Sequence, residues 1–200
     1  MKTTTLVLLV ILGFIVVLGG CVGCGAVNLK NSAVTMDQNV QSKWGAVEAD
    51  YQRRSDLIPN LVNTVKGEAN FEQTTLQNVI QARASATQIK VDASNLTPEK
   101  LQQFQAAQGQ LSQALGRLLA VSENYPTLRS NDAFRGLRDE LAGTENRIKF
   151  SRNEFNDAVQ GYNTKILTFP NNIYAGWFGY KAKGYFQADE GASKAPQVKF

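Results

Sequence analysis

The chain has 200 residues, with 21 Lys and Arg against 17 Asp and Glu, and it contains no histidine. The missing imidazole excludes His-containing catalytic triads, His-ligated zinc and the Glu-x-x-His di-iron sites of helical bundles. A formal charge of +4, spread along the chain, offers no basic patch for nucleic acid, and two cysteines, both before residue 25, leave the body without a disulfide.

The chain opens on an uncharged apolar run, residues 6–27. At about 1.5 Å rise per residue this run reaches roughly 33 Å as a helix, enough for a bilayer core of about 30 Å. It has two physical readings. One is a permanent transmembrane helix, in which Cys21 and Cys24 are small apolar residues. The other is a lipoprotein signal: Leu18-Gly19-Gly20-Cys21 has the shape of a lipobox, and the core Leu6–Leu18 is short, within the range of a signal h-region. Two acyl chains on Cys21 would hold the body firmly, at about 0.8 kcal/mol per buried CH₂. Either way the anchor is single and the expected location is a bacterial cell membrane. Lys2 and the amino terminus face only Lys30 and Lys43 across the run. That near tie leaves the orientation open, an extracytoplasmic body being narrowly favoured.

Three regions follow from this pattern: an anchor over 1–28, a helical body over 29–170 and an aromatic, basic tail over 171–200. Lys2 is the only charge before Lys30, so residues 28–200 carry +3 of the total +4. From Met36 the apolar residues fall at helical spacing through Val40, Trp44, Val47 and Tyr51, then Ile58, Leu61 and Val65. Proline costs about 3 kcal/mol inside a helix and disfavours helix at the residue before it. A break between Arg54 and Pro59 is therefore expected, with Asp56 as N-cap and Pro59 in the first turn of a second helix reaching about Ile89. Gly67 weakens that helix. Val91–Leu96 reads as a polar connection. Thr97-Pro98-Glu99 opens a third helix, which runs through Leu101, Phe104, Leu111, Leu115, Leu118 and Val121 and stops at Tyr125-Pro126. Ser130-Asn131-Asp132 caps a fourth, with a seam through Phe134, Leu137, Leu141, Thr144, Ile148, Ser151, Phe155, Ala158 and Tyr162, ending at Phe169-Pro170. No stretch alternates as a strand. The pattern predicts an all-α protein, an antiparallel up-and-down four-helix bundle behind the membrane helix or lipoprotein signal.

Several blocks stand in order along the chain. Tyr51-Gln-Arg-Arg-Ser-Asp-Leu-Ile-Pro-Asn-Leu-Val-Asn-Thr-Val-Lys-Gly67 is the first, and Thr75-Leu76 through Ala82-Arg83 continues it. Tyr125-Pro126-x-Leu128, Leu141-x-x-Thr144-Glu145-x-x-Ile148 and Arg152-x-x-Phe155-Asn156 follow. Val159-x-x-Tyr162-Asn163-x-x-Ile166-x-x-Phe169-Pro170 is the most specific block, and Tyr185-Phe186 with Pro196-x-Val198-x-Phe200 closes the series. Taken together these blocks resemble the LemA family. The resemblance covers about residues 35–200 and departs at Lys30–Val34 and in the cysteine-containing anchor. It implies an N-terminal membrane segment, an antiparallel four-helix bundle and no established enzymatic activity.

Candidate site residues are polar. Arg53, Arg54, Asp56 and Asn60 crowd the expected break, and Arg83, Glu145, Arg152 and Asn163 stand near them in pattern. Thr144 and Ser151 fall in the seam of the fourth helix, so polar layers lie inside the bundle. Buried polar groups must pair, since an unsatisfied one costs about 1–3 kcal/mol. A hydrogen-bonded network that fixes helix register, a ligand pocket and a catalytic site are the three readings, in falling order of weight. Glu145 and Arg152, two turns apart, are expected to be buried and paired with groups of the first two helices. Glycine-rich stretches do not make a nucleotide site: Gly179–Gly184 lacks the Lys-Ser/Thr of a phosphate loop, and Gly20-x-x-Gly23-x-Gly25 lies in the anchor. The tail aromatics Tyr174, Trp177, Phe178, Tyr180, Tyr185 and Phe186 either cover an open end of the bundle or suit a membrane interface. Val198 and Phe200 form an apolar-x-apolar ending that a PDZ-like domain would take as an added strand.

The expected function is a membrane-anchored interaction or scaffold module without enzymatic activity. Its partners are membrane lipid through residues 6–27 and a protein or a second copy; no cofactor, metal or nucleic acid is expected. The alternative is a small-ligand or lipid-binding protein using the buried polar layer.

Overall fold

A computed structural model describes residues 3–68 and 71–187. These form six helices: α1 Thr3–Lys66, α2 Gln73–Gln88, α3 Pro98–Ser122, α4 Pro126–Ser130, α5 Asp132–Leu167 and α6 Asn171–Phe178. No strand occurs among the described residues, and the all-α expectation holds.

The expected break before Pro59 does not exist. Helix α1 runs unbroken through it, and Asp56, instead of capping a helix, accepts a hydrogen bond from Gln52 Nε2 one turn back, at 2.8 Å. Proline has no N–H for the carbonyl of Ser55, its i−4 partner. Arg83 on α2 supplies the missing donor, its Nε reaching Ser55 O at 2.9 Å. A tertiary contact thus stabilises a helix that local propensity would end. The chain turns later, after Lys66, where Gly67 is costly for a helix and Glu68 N donates to Val65 O at 3.0 Å. Other expected boundaries match. Thr97 Oγ1 accepts from Lys100 N ahead of Pro98, and Asn131 Oδ1 accepts from Phe134 N at 3.1 Å at the start of the 36-residue α5. Helices α4 and α6 are additions to the expected set, being too short for a hydrophobic period to reveal.

The chain divides into two compact units, each drawing on α1 and α5. Among the described residues, one comprises 43–68, 71–157 and 183–187. Its core joins Ile58, Leu61 and Val65 of α1, Leu76 and Val79 of α2, Leu111, Leu115 and Leu118 of α3, Leu128 of α4, and Phe134 and Leu141 of α5. A second, aromatic cluster centres on the fully buried Trp44, with Phe104, Phe155 and Phe186 at ring-centroid distances of 5.3, 5.5 and 6.0 Å. Aromatic pairs at such spacing contribute about 0.5–1.5 kcal/mol each beyond area burial.

The other unit comprises, among the described residues, 3–42 and 158–182. Leu29, Ala33 and Val40 of α1 are buried in it, as are Val159, Tyr162 and Ile166 of α5 and Ala175 of α6. Burial, then the charges of Asp37 and Tyr180, push the Tyr162 hydroxyl up to about 12. Earlier in α1 the pattern inverts: Val7 to Leu18, Val22 and Val27 all stand exposed. One helix, long and apolar enough to cross a membrane, is present among the described residues.

Candidate functional site

Arg54 organises the polar interior of the larger unit. It points inward because α1 is continuous: the face carrying Tyr51, Ile58, Leu61 and Val65 is buried, and Arg54 lies on it, 3% exposed. Its Nη1 donates to Ser112 Oγ at 2.8 Å and to Glu145 Oε2 at 3.1 Å. Its Nη2 donates to Gln108 Oε1 at 2.6 Å and Gln108 O at 3.4 Å, and the guanidinium lies 5.0 Å from the centre of the Tyr51 ring. Burial lowers the Arg54 pKa, opposed by the charges of Tyr51 and Glu145. The group stays charged, because a desolvated guanidinium with this many acceptors loses more by giving up its proton.

Beside it, residues 183–187 run extended across α3 and α5, held by side-chain amides. Asn156 pairs with both peptide groups of Phe186, Nδ2 donating to the carbonyl at 3.0 Å and Oδ1 accepting from N–H at 2.9 Å. Gln105 does the same for Gln187, at 2.8 and 3.1 Å. Arg152 Nη2 donates to Gln187 O at 2.8 Å, and its guanidinium stacks 4.9 Å over the Phe186 ring. At the start of the segment Gly184 N donates to Leu96 O at 3.1 Å. A Cβ at Gly184 would lie 2.8 Å from Pro98 Cα, so only glycine fits. Two carboxamides therefore read backbone as a neighbouring strand would, while Phe186 fills the aromatic cluster.

Between these groups lies a cleft of about 480 Å³ lined by Arg54, Gln102, Gln105, Gln108, Glu145 and Arg152 among others. A larger, more apolar one of about 610 Å³ borders Tyr51, Ser55, Ala86, Val91 and Phe104. Of the residues expected at the site, Arg54, Glu145 and Arg152 line the polar cleft, with Glu145 and Arg152 half-buried. Arg83 serves the carbonyl freed by Pro59. Arg53, Asp56 and Asn60 do not join them. In an unbroken helix they fall on the exposed side of the seam, where Arg53 Nη2 meets Glu140 Oε1 at 3.0 Å. Asn163 is buried in the other unit. The Cys21 side chain, Val198 and Phe200 lie outside the described residues. Gln105, Gln108 and Ser112 join the site without a sequence signal. They sit in the Gln/Ala-rich stretch of α3, where nothing in the composition separates an inward glutamine from an outward one. Among the described residues no three His, Cys, Asp or Glu side chains gather as a metal site would require.

Comparison with known proteins gives a match to the LemA family over residues 43–200. The chain is 31% identical to magnetosome protein MamQ 2 of Paramagnetospirillum magneticum, over 78% of this chain and 64% of that one. It is 30% identical to magnetosome protein MamQ of Magnetospirillum gryphiswaldense, with the same coverage. It is 26% identical to protein LemA of Metamycoplasma hominis, over 82% of this chain and 71% of that one. The chain thus spans about 64% of the length of the MamQ relatives.

Proposed function

The chain belongs to the LemA family, and on that premise we propose that it is a membrane-anchored interaction module. Residues 6–27 sit in the bilayer, and an antiparallel four-helix body presents polar helix faces to a protein partner or a second copy. One observation carries the reading: α1 holds exposed apolar side chains from Val7 to Leu18 and, in the same helix, the buried seam of the body. A solvated apolar surface of that extent is unfavourable in water and favourable in lipid. The cleft around Arg54 supports a register-fixing role over a ligand site, since both terminal nitrogens of Arg54 already have protein acceptors. Phe150 of α5, 68% exposed on the body's surface, is the position we choose to probe for a partner contact.

Two measurements on the full chain in native membranes test this. Alkaline carbonate should leave the protein in the pellet; release into the supernatant would overturn the anchor. A photo-crosslinking residue at Phe150 should give one adduct of defined mass, and a monomer band alone would overturn the interaction reading.

A further inference from the structure

The geometry points to α6 as an interfacial helix that stands beside α1 at the headgroup layer of the bilayer, where α1 emerges from it. This rests on the anchoring reading and adds a second lipid contact to it. Within the smaller unit, α6 leans directly on the end of the apolar run. A Cβ at Gly25 would stand 3.0 Å from Tyr174 Oη and 3.3 Å from its ring carbons, so the phenol rests on the bare backbone of α1 there. One turn further along, Lys30 Nζ stands 6.0 Å from the centre of the Phe178 ring. Tyr174 beside Gly25 and Phe178 beside Lys30 make the two helices advance in the same sense. The chain before Tyr174 therefore reaches back to the level of the apolar run.

Residues 167–178 carry large apolar side chains on their outer side. Ala175 faces inward at 4% exposure, but Phe169 is 75% exposed, Trp177 66%, Leu167 61% and Ile173 47%. Whatever surrounds Val22 and Val27, both exposed on α1, also surrounds side chains in contact with Gly25. If that medium is lipid at the end of a span, then Trp177 and Tyr174 stand at the depth where amphipathic rings are favoured. Residues 158–182 contain Lys165 and Lys181 and no acidic side chain, a charge balance that suits anionic headgroups. A bilayer surface is the one occupant consistent with both the apolar exposure and the continuity with the span.

The chain has two tryptophans, Trp177 on α6 and the fully buried Trp44, which makes fluorescence selective. The full chain is reconstituted in vesicles of zwitterionic and anionic phospholipid, with and without lipid brominated in the upper acyl chain. We expect bromolipid to remove about half of the tryptophan emission in the wild type and almost none in Trp177→Phe. Trp177 is exposed, so the substitution should leave circular dichroism unchanged. A protein that floats with the vesicles yet shows unquenched emission, or quenching that persists in Trp177→Phe, would overturn the assignment and leave the anchor standing. Blue-shifted but unquenched Trp177 emission would put protein rather than lipid on α6, with the same consequence. Failure to float would remove the anchor and this inference together.

Discussion

Arg54 and Glu145 form one ion pair with unequal ends: the Arg54 side chain is 3% exposed and that of Glu145 40%. Glutamate can recover hydration when its partner is lost; the guanidinium cannot. Glu145→Gln keeps an acceptor and removes the charge, and should lower stability by about 1–2 kcal/mol, a charged hydrogen bond discounted for the solvent that reaches Glu145. Arg54→Ala removes the buried charge itself, and its cost of about 3–5 kcal/mol comes from the cavity left behind and from the Gln108 side chain and Ser112 losing their donor. Urea titration reads both, and equal losses would mean that Arg54 is not the organising group. The second residue pair tests the helix itself. Arg83→Met should strand Ser55 O and cost about 1–3 kcal/mol. In a Pro59→Ala background the alanine restores a backbone N–H that can take that carbonyl, so the same Arg83→Met should cost clearly less. A double-mutant cycle with coupling indistinguishable from zero would mean that Arg83 does not stand in for the missing amide.

Among the elements, sequence legibility follows local physics. Val40, Trp44, Val47, Tyr51, Ile58, Leu61 and Val65 are readable as one seam, and all are buried. The start of α3 and the cap of α5 are readable because a cap is a contact within four residues. What stays hidden depends on distant chain. Pro59 reads as a breaker until Arg83, on another helix, is in view. Tyr185-Phe186 reads as tail because an extended segment pinned by Asn156 and Gln105 has no period of its own. The position of α6 against Gly25 has no local sign either. The pinned segment yields its own prediction. Asn156→Leu conserves volume but leaves the Phe186 amide and carbonyl unpaired, at about 1–3 kcal/mol. The Phe186 amide should lose hydrogen-exchange protection while amides in the middle of α3 keep theirs. Phe186→Ala empties the space among Trp44, Phe104 and Phe155 and should cost about 3–5 kcal/mol. If both variants melt with the wild type, residues 183–187 are a loose covering and not part of the core.

At the scale of the whole molecule the proposed anchor has two forms, a span or an acylated cysteine, and the two readings leave different molecules. A lipoprotein loses everything before Cys21 and gains acyl chains there, which cuts α1 about a third of the way along and leaves Val22 and Val27 as exposed apolar side chains beside the acyl group. A span keeps α1 whole, with Val7 to Leu18, Val22 and Val27 exposed along one helix of 64 residues. About 20 residues are needed to cross a bilayer core, and only the uncut helix supplies them. The span is also the reading under which Tyr174, seated on Gly25, meets lipid at the end of a crossing rather than beside a diacylated terminus. Intact-mass spectrometry of this 200-residue chain, expressed as such and extracted from membranes, should therefore return it uncleaved at 21.9 kDa. Cys21→Ala should leave both that mass and carbonate-resistant attachment unchanged. A mass lower by the residues before Cys21 and higher by acyl groups, abolished by Cys21→Ala, would instead make the run a signal and the acylated Cys21 the anchor.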